Sequence, residues 1–370
     1  MTENLHTDIG KGTVPEMRTA VVALTQGGAR IGSRLCETMA DFELFVSSRY
    51  ADQATTRCTR FEPTGLRTLL DSIWQSYDGI ILIMATGIVV RMIAPLLRSK
   101  ETDPAVVVMD DAGRFAISLL SGHLGGGNEL ADRCAAATSA LAVITTATDA
   151  NDLPSFDMLA KEQGWVIDDI NRVKTLNTLM LDNEEIAVID PTGLTRHWLG
   201  GRGTISYHET LAEAANSSAR GFLCITNRVL PELVNPEQLL ILRPRTLVLG
   251  IGCNRGTPAD EIDEFATHHL TLQSLSPKSI CCVASVAAKR DEAGLLKFAE
   301  RRGVPLHFFE SDELNRIDFP SPLSAYALAA VGSGGVAEPA AILASGGGRL
   351  LLNKVKSANV TLAVAERAGV

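Results

Sequence analysis

Three short apolar runs constrain this chain more than any other feature. Thr19-Ala-Val-Val-Ala-Leu24, Gly79-Ile-Ile-Leu-Ile-Met84 and Ala105-Val-Val-Val-Met109 are near-continuous rather than alternating. A strand with one wet face alternates apolar and polar residues, so an unbroken run belongs to a strand covered on both faces. Double coverage requires helices above and below the sheet, and helical patterns lie between the runs. Residues 29–39 follow a Gly-Gly turn, and Leu66, Leu69, Leu70, Ile73, Trp74 and Tyr77 recur at the spacing of one helix face. Strand and helix alternate, which makes the chain α/β with a largely parallel sheet.

The same alternation organises the full 370 residues, a length suited to two or three domains. Residues 1–17 are polar and read as a disordered tail. Residues 18–150 form a first α/β unit, its last strand read as Ala142–Asp149 after a helix over 128–141. Asn151-Asp-Leu-Pro-Ser155 is a natural boundary. Residues 151–243 form a smaller, less regular middle α/β region, in which 191–203, rich in glycine, reads as a loop. There Arg196, His197 and Trp198 cluster as a packing feature. Residues 244–370 form a third unit, again α/β, with Thr257 capping a helix that has Pro258 at its first position. The architecture expected is two outer α/β units with largely parallel sheets, joined by the middle region.

Composition narrows the function. Aromatics are 5% of residues and the net charge is −9, which argues against stacking platforms and against the basic surface that nucleic acids require. The longest apolar run, residues 80–90, is interrupted by Thr86 and Gly87 and is far short of the roughly 20 residues needed to span a bilayer. No apolar signal-peptide core precedes it. Seven cysteines, without a C-x-x-C pair, read as free thiols in a reducing compartment, hence the cytoplasm. His268-His269 and Cys281-Cys282 lack the spacing of a metal site.

The stretch best suited to chemistry is Ser121-Gly-His-Leu-Gly-Gly-Gly-Asn128, between a strand and a helix. Gly125, Gly126 and Gly127 allow close backbone approach. The backbone N–H groups of 125–128, with the helix dipole behind them, suit a carboxylate or a developing oxyanion. His123 has the right ordinary pKa for a general base, and Glu129 in the first helical turn can orient it or relay its proton. Thr86, Gly87 and Arg91 follow a buried strand, where open α/β sheets place ligand crevices; Arg91 suits a carboxylate. Asp110 and Asp111 read as turn residues, and Lys100, Glu101 and Asp103 as a solvated loop.

Two further glycine-rich stretches open helices. Gly250-Ile-Gly252-Cys253-Asn254-Arg255-Gly256 follows a strand. Its G-x-G-x-x-x-G spacing is a weak dinucleotide signal, and no Asp or Glu lies between Glu264 and Asp291 to hold a ribose. Arg255 and the helix start remain suited to an anion, while Cys253 has no local His–Asp partner. Gly332-Ser-Gly334-Gly-Val-Ala-Glu338 is the other. Valine at 331 leaves Ser333 outside the serine-hydrolase elbow; Glu338 and Lys354 are candidate binding groups.

Taken together, residues 85–97, 100–131, 244–257 and 334–365 resemble the cobalt-precorrin-5A hydrolases of anaerobic cobalamin biosynthesis (CbiG-type). The resemblance covers both outer units in order. This chain departs from it at Asn254-Arg255, where the family often carries two basic residues after the cysteine. The resemblance implies a hydrolase whose substrate is an anionic cobalt tetrapyrrole carrying a δ-lactone. Water opens the lactone, and the extruded carbon leaves as acetaldehyde, giving cobalt-precorrin-5B. Cobalt arrives with the substrate, so neither a cofactor nor a protein metal site is implied; other enzymes of the pathway are the partners to expect. On this reading His123 is the base, assisted by Glu129. Ser121, Gly125–Asn128, Thr86 and Gly87 form one lactone-binding wall. Arg91, Arg255 and Lys354, with Gly252, Gly334 and Glu338, hold the peripheral carboxylates in a cleft between the outer units. A non-catalytic tetrapyrrole carrier and a nucleotide-dependent oxidoreductase built on the Gly250 stretch are the competing classes.

Overall fold

In the computed structural model the three apolar runs are the middle of one sheet. The structure describes residues 17–99 and 102–368; residues 1–16 of the expected 1–17 tail, and Lys100 and Glu101, lie outside the described residues, while Met17 is partly buried against the core rather than part of a tail. The chain divides into two compact units, 1–152 and 153–370.

The first unit contains β1 (Thr19–Ala23), α1 (Gln26–Thr38), β2 (Phe42–Ser47), β3 (Cys58–Phe61), α2 (Leu66–Ile73), β4 (Gly79–Ile83), α3 (Thr86–Ile93), β5 (Ala105–Met109), β6 (Phe115–Leu120), α4 (Gly127–Thr138), β7 (Leu141–Val143) and α5 (Ala147–Ala150). Its seven-stranded sheet has the order β3-β2-β1-β4-β5-β6-β7. Every residue of β1, β4 and β5 is buried. Val21, Ile81, Ile83, Val107 and Met109 pack on one face with Leu35 and Leu130. Ala20, Val22, Ile80, Leu82, Val106 and Val108 pack on the other with Leu70, Ile73 and Val89. Each large aliphatic buried this way contributes about 1.5–3 kcal/mol. Double coverage is thus the physical meaning of the unbroken runs.

Strand direction decides where the loops go. β1 to β5 are parallel, β6 is antiparallel to β5, and β7 is parallel to β6. The reversal is a hairpin over Asp110–Gly113. The Asp110 carboxylate accepts from the N–H groups of Arg114 and Phe115, both at 2.8 Å, and Gly113 takes φ 66°. Ala23, Ile83, Met109 and Ala116 form one row at the carboxyl edge of the parallel strands, while Leu120 lies beside Val106 at the amino edge. The loop after β6 therefore emerges on the opposite edge from the loops after β1 and β4.

The last strand is shorter than the sequence suggests. β7 stops at Val143, and residues 147–150 make one helical turn. α4 ends at Thr138 rather than 141, because Ser139 adopts a left-handed conformation, φ 64°.

The second unit begins with α6 (Phe156–Gln163), β8 (Val166–Ile167), α7 (Ile170–Leu181), β9 (Ile186–Ile189), α8 (Leu194–Leu199), β10 (Ile205–His208), α9 (Leu211–Ala215), β11 (Gly221–Ile225) and β12 (Leu239–Arg243), a sheet ordered β10-β9-β11-β12-β8. The expected loop over 191–203 contains a helix. Gly193 and Gly200 adopt φ 73° and 57° at its two ends, so the glycines delimit a helix rather than dissolve one. Arg196 stacks 4.2 Å from the Tyr207 ring and Trp198 donates to Glu162, a packing role for that cluster.

The second sheet of this unit, β15-β14-β13-β17-β16, contains β13 (Leu247–Cys253), α10 (Ala259–Leu272), β14 (Ile280–Val286), α11 (Ala293–Arg302), β15 (Leu306–Phe309), α12 (Ser311–Asn315), α13 (Ala325–Val331), α14 (Ala337–Ala344), β16 (Leu350–Lys356) and β17 (Val360–Glu366). Pro258, not Thr257, is the N-cap of α10. The Thr257 hydroxyl instead donates to the Asn254 carbonyl oxygen at 2.8 Å.

Candidate active site

The β6–α4 loop is a closed knot of backbone. Gly126 N–H donates to the His123 carbonyl oxygen, Gly127 N–H to that of Ser121 and Asn128 N–H to that of Gly122, each at 2.9 Å. Gly126 needs its freedom, with φ 84° at the helix N-cap. Gly127 is needed for close approach, since a Cβ there would lie 2.5 Å from the Leu120 carbonyl oxygen. Ser121, at φ 54°, fixes the loop to the preceding chain through its hydroxyl, which donates to the Asp103 carbonyl oxygen at 3.0 Å. The sequence reading of the 125–128 backbone as an oxyanion cradle is corrected at 126–128, because those three N–H groups are committed to the loop itself.

What the knot presents is a side chain. His123 is partly buried, and its Nε2 lies 2.7 Å from Oδ2 of Asp149. The Thr148 hydroxyl lies 3.2 Å from the same nitrogen. Asp149 Oδ2 also accepts from the Thr146 hydroxyl and, at 3.2 Å, from the Asn128 amide. That amide is fixed in turn: Nδ2 donates to Thr146 Oγ1 at 3.1 Å, and Oδ1 accepts from the Ser118 hydroxyl at 2.7 Å. β7 makes this assembly, because it runs parallel to β6 and delivers the Thr146–Asp149 turn beside the histidine loop. Glu129 is exposed in the first turn of α4.

Sequence reasoning missed Asp149, Thr146 and Thr148 because Ala142–Asp149 read as a strand. The available signal was the Thr-x-x-Asp spacing of Thr146 and Asp149 at the start of a turn.

Thr86, Gly87 and Arg91 do not join this group. Thr86 and Gly87 open α3 at the carboxyl edge of β4, across the sheet from His123, and the single wall expected from the sequence is two edges. Thr86 is the first helical residue rather than a side-chain cap. Arg91 is exposed and donates to the Gly87 carbonyl oxygen at 2.8 Å. At that edge the Asp111 carboxylate occupies the start of α1, accepting from the Gly28 N–H at 3.1 Å and from the Thr25 hydroxyl.

In the second unit, Gly250 and Gly252 are strand residues of β13, not loop residues. Gly250 makes room for the Ala337 carbonyl, and Gly252 accepts from the Thr361 hydroxyl at 3.1 Å. The Gly256 N–H is taken by buried Glu292 at 2.7 Å. Arg255 is exposed and pairs with Asp291 at 2.9 Å. Glu338 and Lys354 do meet, through the Lys354 backbone N–H, while Gly334 bonds elsewhere. Gly334 N–H donates to Asn315 at 3.1 Å. Glu338, 1% exposed, accepts through Oε1 from the Ser321 hydroxyl at 2.9 Å and the Lys354 N–H at 3.0 Å. Among the described residues its buried Oε2 has no hydrogen-bond partner.

All seven cysteines are free thiols. Burial pushes Cys134 and Cys224 up to about 12, and Cys253 is raised for the same reason, so none of the three is an activated nucleophile. Among the described residues, no three His, Cys, Asp or Glu side chains gather as a metal site, and no helix is long and apolar enough to cross a membrane.

Three family models match in succession: cobalamin synthesis G N-terminal over residues 68–149, cobalamin biosynthesis central region over 154–244 and cobalamin synthesis G C-terminus over 247–365. The cobalt-precorrin-5A hydrolase of Priestia megaterium is 38% identical over 353 residues, covering 94% of each chain. That of Salmonella typhimurium is 34% identical over 357 residues, covering 95% of this chain and 98% of its own. A solved cobalamin biosynthesis protein G homologue from Sulfolobus solfataricus aligns over 94% of this chain and 97% of its own, at 20% identity and a TM-score of 0.34.

Proposed function

The chain belongs to the cobalt-precorrin-5A hydrolase family, and from that premise we propose that it opens the δ-lactone of cobalt-precorrin-5A, with loss of acetaldehyde, to give cobalt-precorrin-5B. The observation that carries this reading is the near-full-length match to hydrolases of that name, with all three family regions present in order. The cobalt belongs to the substrate, and the chain needs no cofactor of its own.

The histidine loop supplies what lactone hydrolysis requires. His123 takes a proton from water, and the resulting hydroxide adds to the lactone carbonyl carbon. The C–O bond of the lactone ring breaks; the alkoxide oxygen forms the C=O of acetaldehyde as the C–C bond to the macrocycle breaks, and the electron pair left on the macrocycle carbon takes the proton back from the imidazolium. Ser121, Gly125–Asn128 and Glu129 shape the surface around that centre. Arg91 in the first unit, and Arg255 and Lys354 in the second, each suit a carboxylate, with Gly252, Gly334 and Glu338 setting the shape of the surface around Lys354. Thr86 and Gly87, on the far edge of the first sheet, serve binding rather than the reacting centre. Free thiols throughout fit a reducing cytoplasm, where other enzymes of the same pathway supply the substrate and accept the product.

The test is acetaldehyde release from purified substrate. The wild-type protein gives stoichiometric acetaldehyde, and His123→Ala lowers kcat at least a hundredfold. R91A and K354A raise KM and leave kcat within a few-fold. A protein that binds the tetrapyrrole and releases no acetaldehyde is a carrier, and the hydrolase reading falls.

A further inference from the structure

Two cysteines in succession on a regular strand point to opposite faces of the sheet, which would keep the sulfurs of Cys281 and Cys282 apart. β14 is not regular there. Leu247 of β13 pairs with Ile280, but the next residue, Val248, pairs with Cys282. Cys281 is the extra residue of a bulge, and a bulge re-aims side chains. Both cysteines accordingly pack in one apolar cluster with Ala340 and Ala341 of α14, while Ile280 and Val283, on either side of them, pack in the cluster on the other face. Their sulfurs lie 3.7 Å apart. We infer that Cys281 and Cys282 form a dithiol site that binds a trivalent arsenical through both sulfurs. Nothing in it depends on the reaction the chain catalyses.

The separation selects the ligand. A disulfide wants Cα atoms at least about 4.4 Å apart, whereas successive residues hold theirs at about 3.8 Å, so direct closure of this pair is strained. A single bridging atom fits better. With bonds of about 2.3 Å, as in zinc–thiolate sites, a near-tetrahedral angle sets two sulfurs about 3.7 Å apart and a linear one about 4.6 Å. The observed spacing thus disfavours soft ions that bind two thiolates in line. Zinc takes four ligands, and among the described residues no three His, Cys, Asp or Glu side chains gather. Trivalent arsenic is pyramidal, keeps its organic substituent and needs only two thiolates. Burial orders the steps: Cys281 is partly exposed and Cys282 is buried beside it. The hydrogen bond from Cys282 lowers the pKa of Cys281, which suits the outer sulfur to attack first. With phenylarsine oxide, the first As–S bond forms from Cys281 and its proton passes to the oxygen on arsenic. The second forms from Cys282, whose proton goes to the same oxygen, and that oxygen leaves as water. Two S–H bonds and one As=O bond become two As–S bonds and one water molecule. No atom changes oxidation state, so no oxidant is required.

The test is one equivalent of phenylarsine oxide added to the native wild-type chain. Intact-mass spectrometry should show one phenylarsenic group per chain, and thiol titration after unfolding should show two thiols fewer. Peptide mapping should place the group on the peptide holding Cys281 and Cys282, with Cys134 and Cys224 unmodified. Excess mercaptoethanol should leave the adduct in place and dithiothreitol should remove it. C281S and C282S each lose the second, intramolecular bond, and retention against mercaptoethanol should fall by about 10²–10⁴-fold; C253S should behave as wild type. An adduct that forms only in urea overturns the proposal, because the native spacing then plays no part. An adduct retained equally by C282S and wild type, or mapped to other cysteines, overturns it as well. Should either serine variant fail to fold, the wild-type peptide map still decides.

Discussion

Gly125 lies so close against Ser121 that a Cβ built on it would fall 2.7 Å from the Ser121 carbonyl oxygen and closer still to the Ser121 Cβ. That carbonyl is the acceptor for the Gly127 N–H, so the two residues together close the histidine loop. Gly125→Ala must push the loop open, at a cost of about 1–3 kcal/mol for inserted volume. Both urea stability and acetaldehyde release are expected to fall. Gly65→Ala is the control: nothing lies within 4 Å of a Cβ there, its φ is −90°, and the change should stay within about 0.5 kcal/mol. Equal effects of the two substitutions would refute the packing account.

The fold was legible in the sequence where one interaction dominates. β1, β4 and β5 were visible because both of their faces are covered, which leaves Thr19 at the start of β1 as the one polar residue in the three runs. Edge strands such as β3 and β16 carry mixed residues and left no such trace. The histidine loop was legible from its glycines. Its carboxylate was not, because the pairing of β7 with β6, a long-range contact, places Asp149. The split of Thr86 from His123 was equally hidden: adjacent strands can run either way, and a four-residue turn at Asp110–Gly113 decides it.

Arg243 is buried at the end of β12. Its guanidinium is 5% exposed and pairs with Asp168 at 3.0 Å, while Nη1 donates to the carbonyl oxygens of Thr226 and Arg228. Arg243→Met strands two carbonyls and half the environment of the carboxylate, and should cost about 3 kcal/mol, as breaking a buried pair does. Lys278, half exposed and 2.8 Å from the same carboxylate, should cost under about 1 kcal/mol when changed to Ala. Urea midpoints of the two variants settle the ranking; a K278A loss equal to that of R243M would refute it.

The same carboxylate gives a pH dependence. Burial alone would push Asp168 up, but hydrogen bonds from Lys278 and Arg243, with their charges, outweigh it and hold the pKa below the usual range. A depressed carboxylate contributes stability that is full above its unfolded value, about 3.9, and is lost as pH falls through the lower folded value. The difference in unfolding free energy between wild type and D168N should therefore be largest at pH 6 and shrink below pH 4. Urea titrations across that interval check it, and a difference that grows toward low pH would contradict the assignment.

Thiol reactivity should follow burial and local pairing. A bulge in β14 pairs Cys282, rather than Cys281, with Val248 and leaves the two neighbouring sulfurs 3.7 Å apart. That hydrogen bond lowers the pKa of Cys281, which is partly exposed, and raises that of Cys282. Iodoacetamide at pH 8 is expected to label Cys281 well before Cys134 and Cys224, whose thiols stay protonated. C282A, by removing the partner, should slow labelling of Cys281. Peptide mass spectrometry reads both, and early modification of Cys134 in the native protein would count against the ordering.

Glu338 sets a sharper test of what a buried carboxylate is for. Among the described residues, Oε1 has two donors, Ser321 and the Lys354 N–H, and Oε2 has none. Glu338→Gln keeps an acceptor for both donors and removes a charge that nothing neutralises on one side. Glu338→Ala removes the acceptor and leaves a buried hydroxyl and a backbone N–H unpaired, at about 1–3 kcal/mol. If folding alone were the reason for a carboxylate here, the order of stability would be wild type above E338Q above E338A. An uncompensated oxygen predicts otherwise: E338Q at least as stable as wild type, and E338A below both. If Glu338 also binds substrate, E338Q raises KM for acetaldehyde release while its urea midpoint holds or rises. A midpoint for E338Q as low as that of E338A would show that the charge itself supports the fold, and would remove Glu338 from the binding surface.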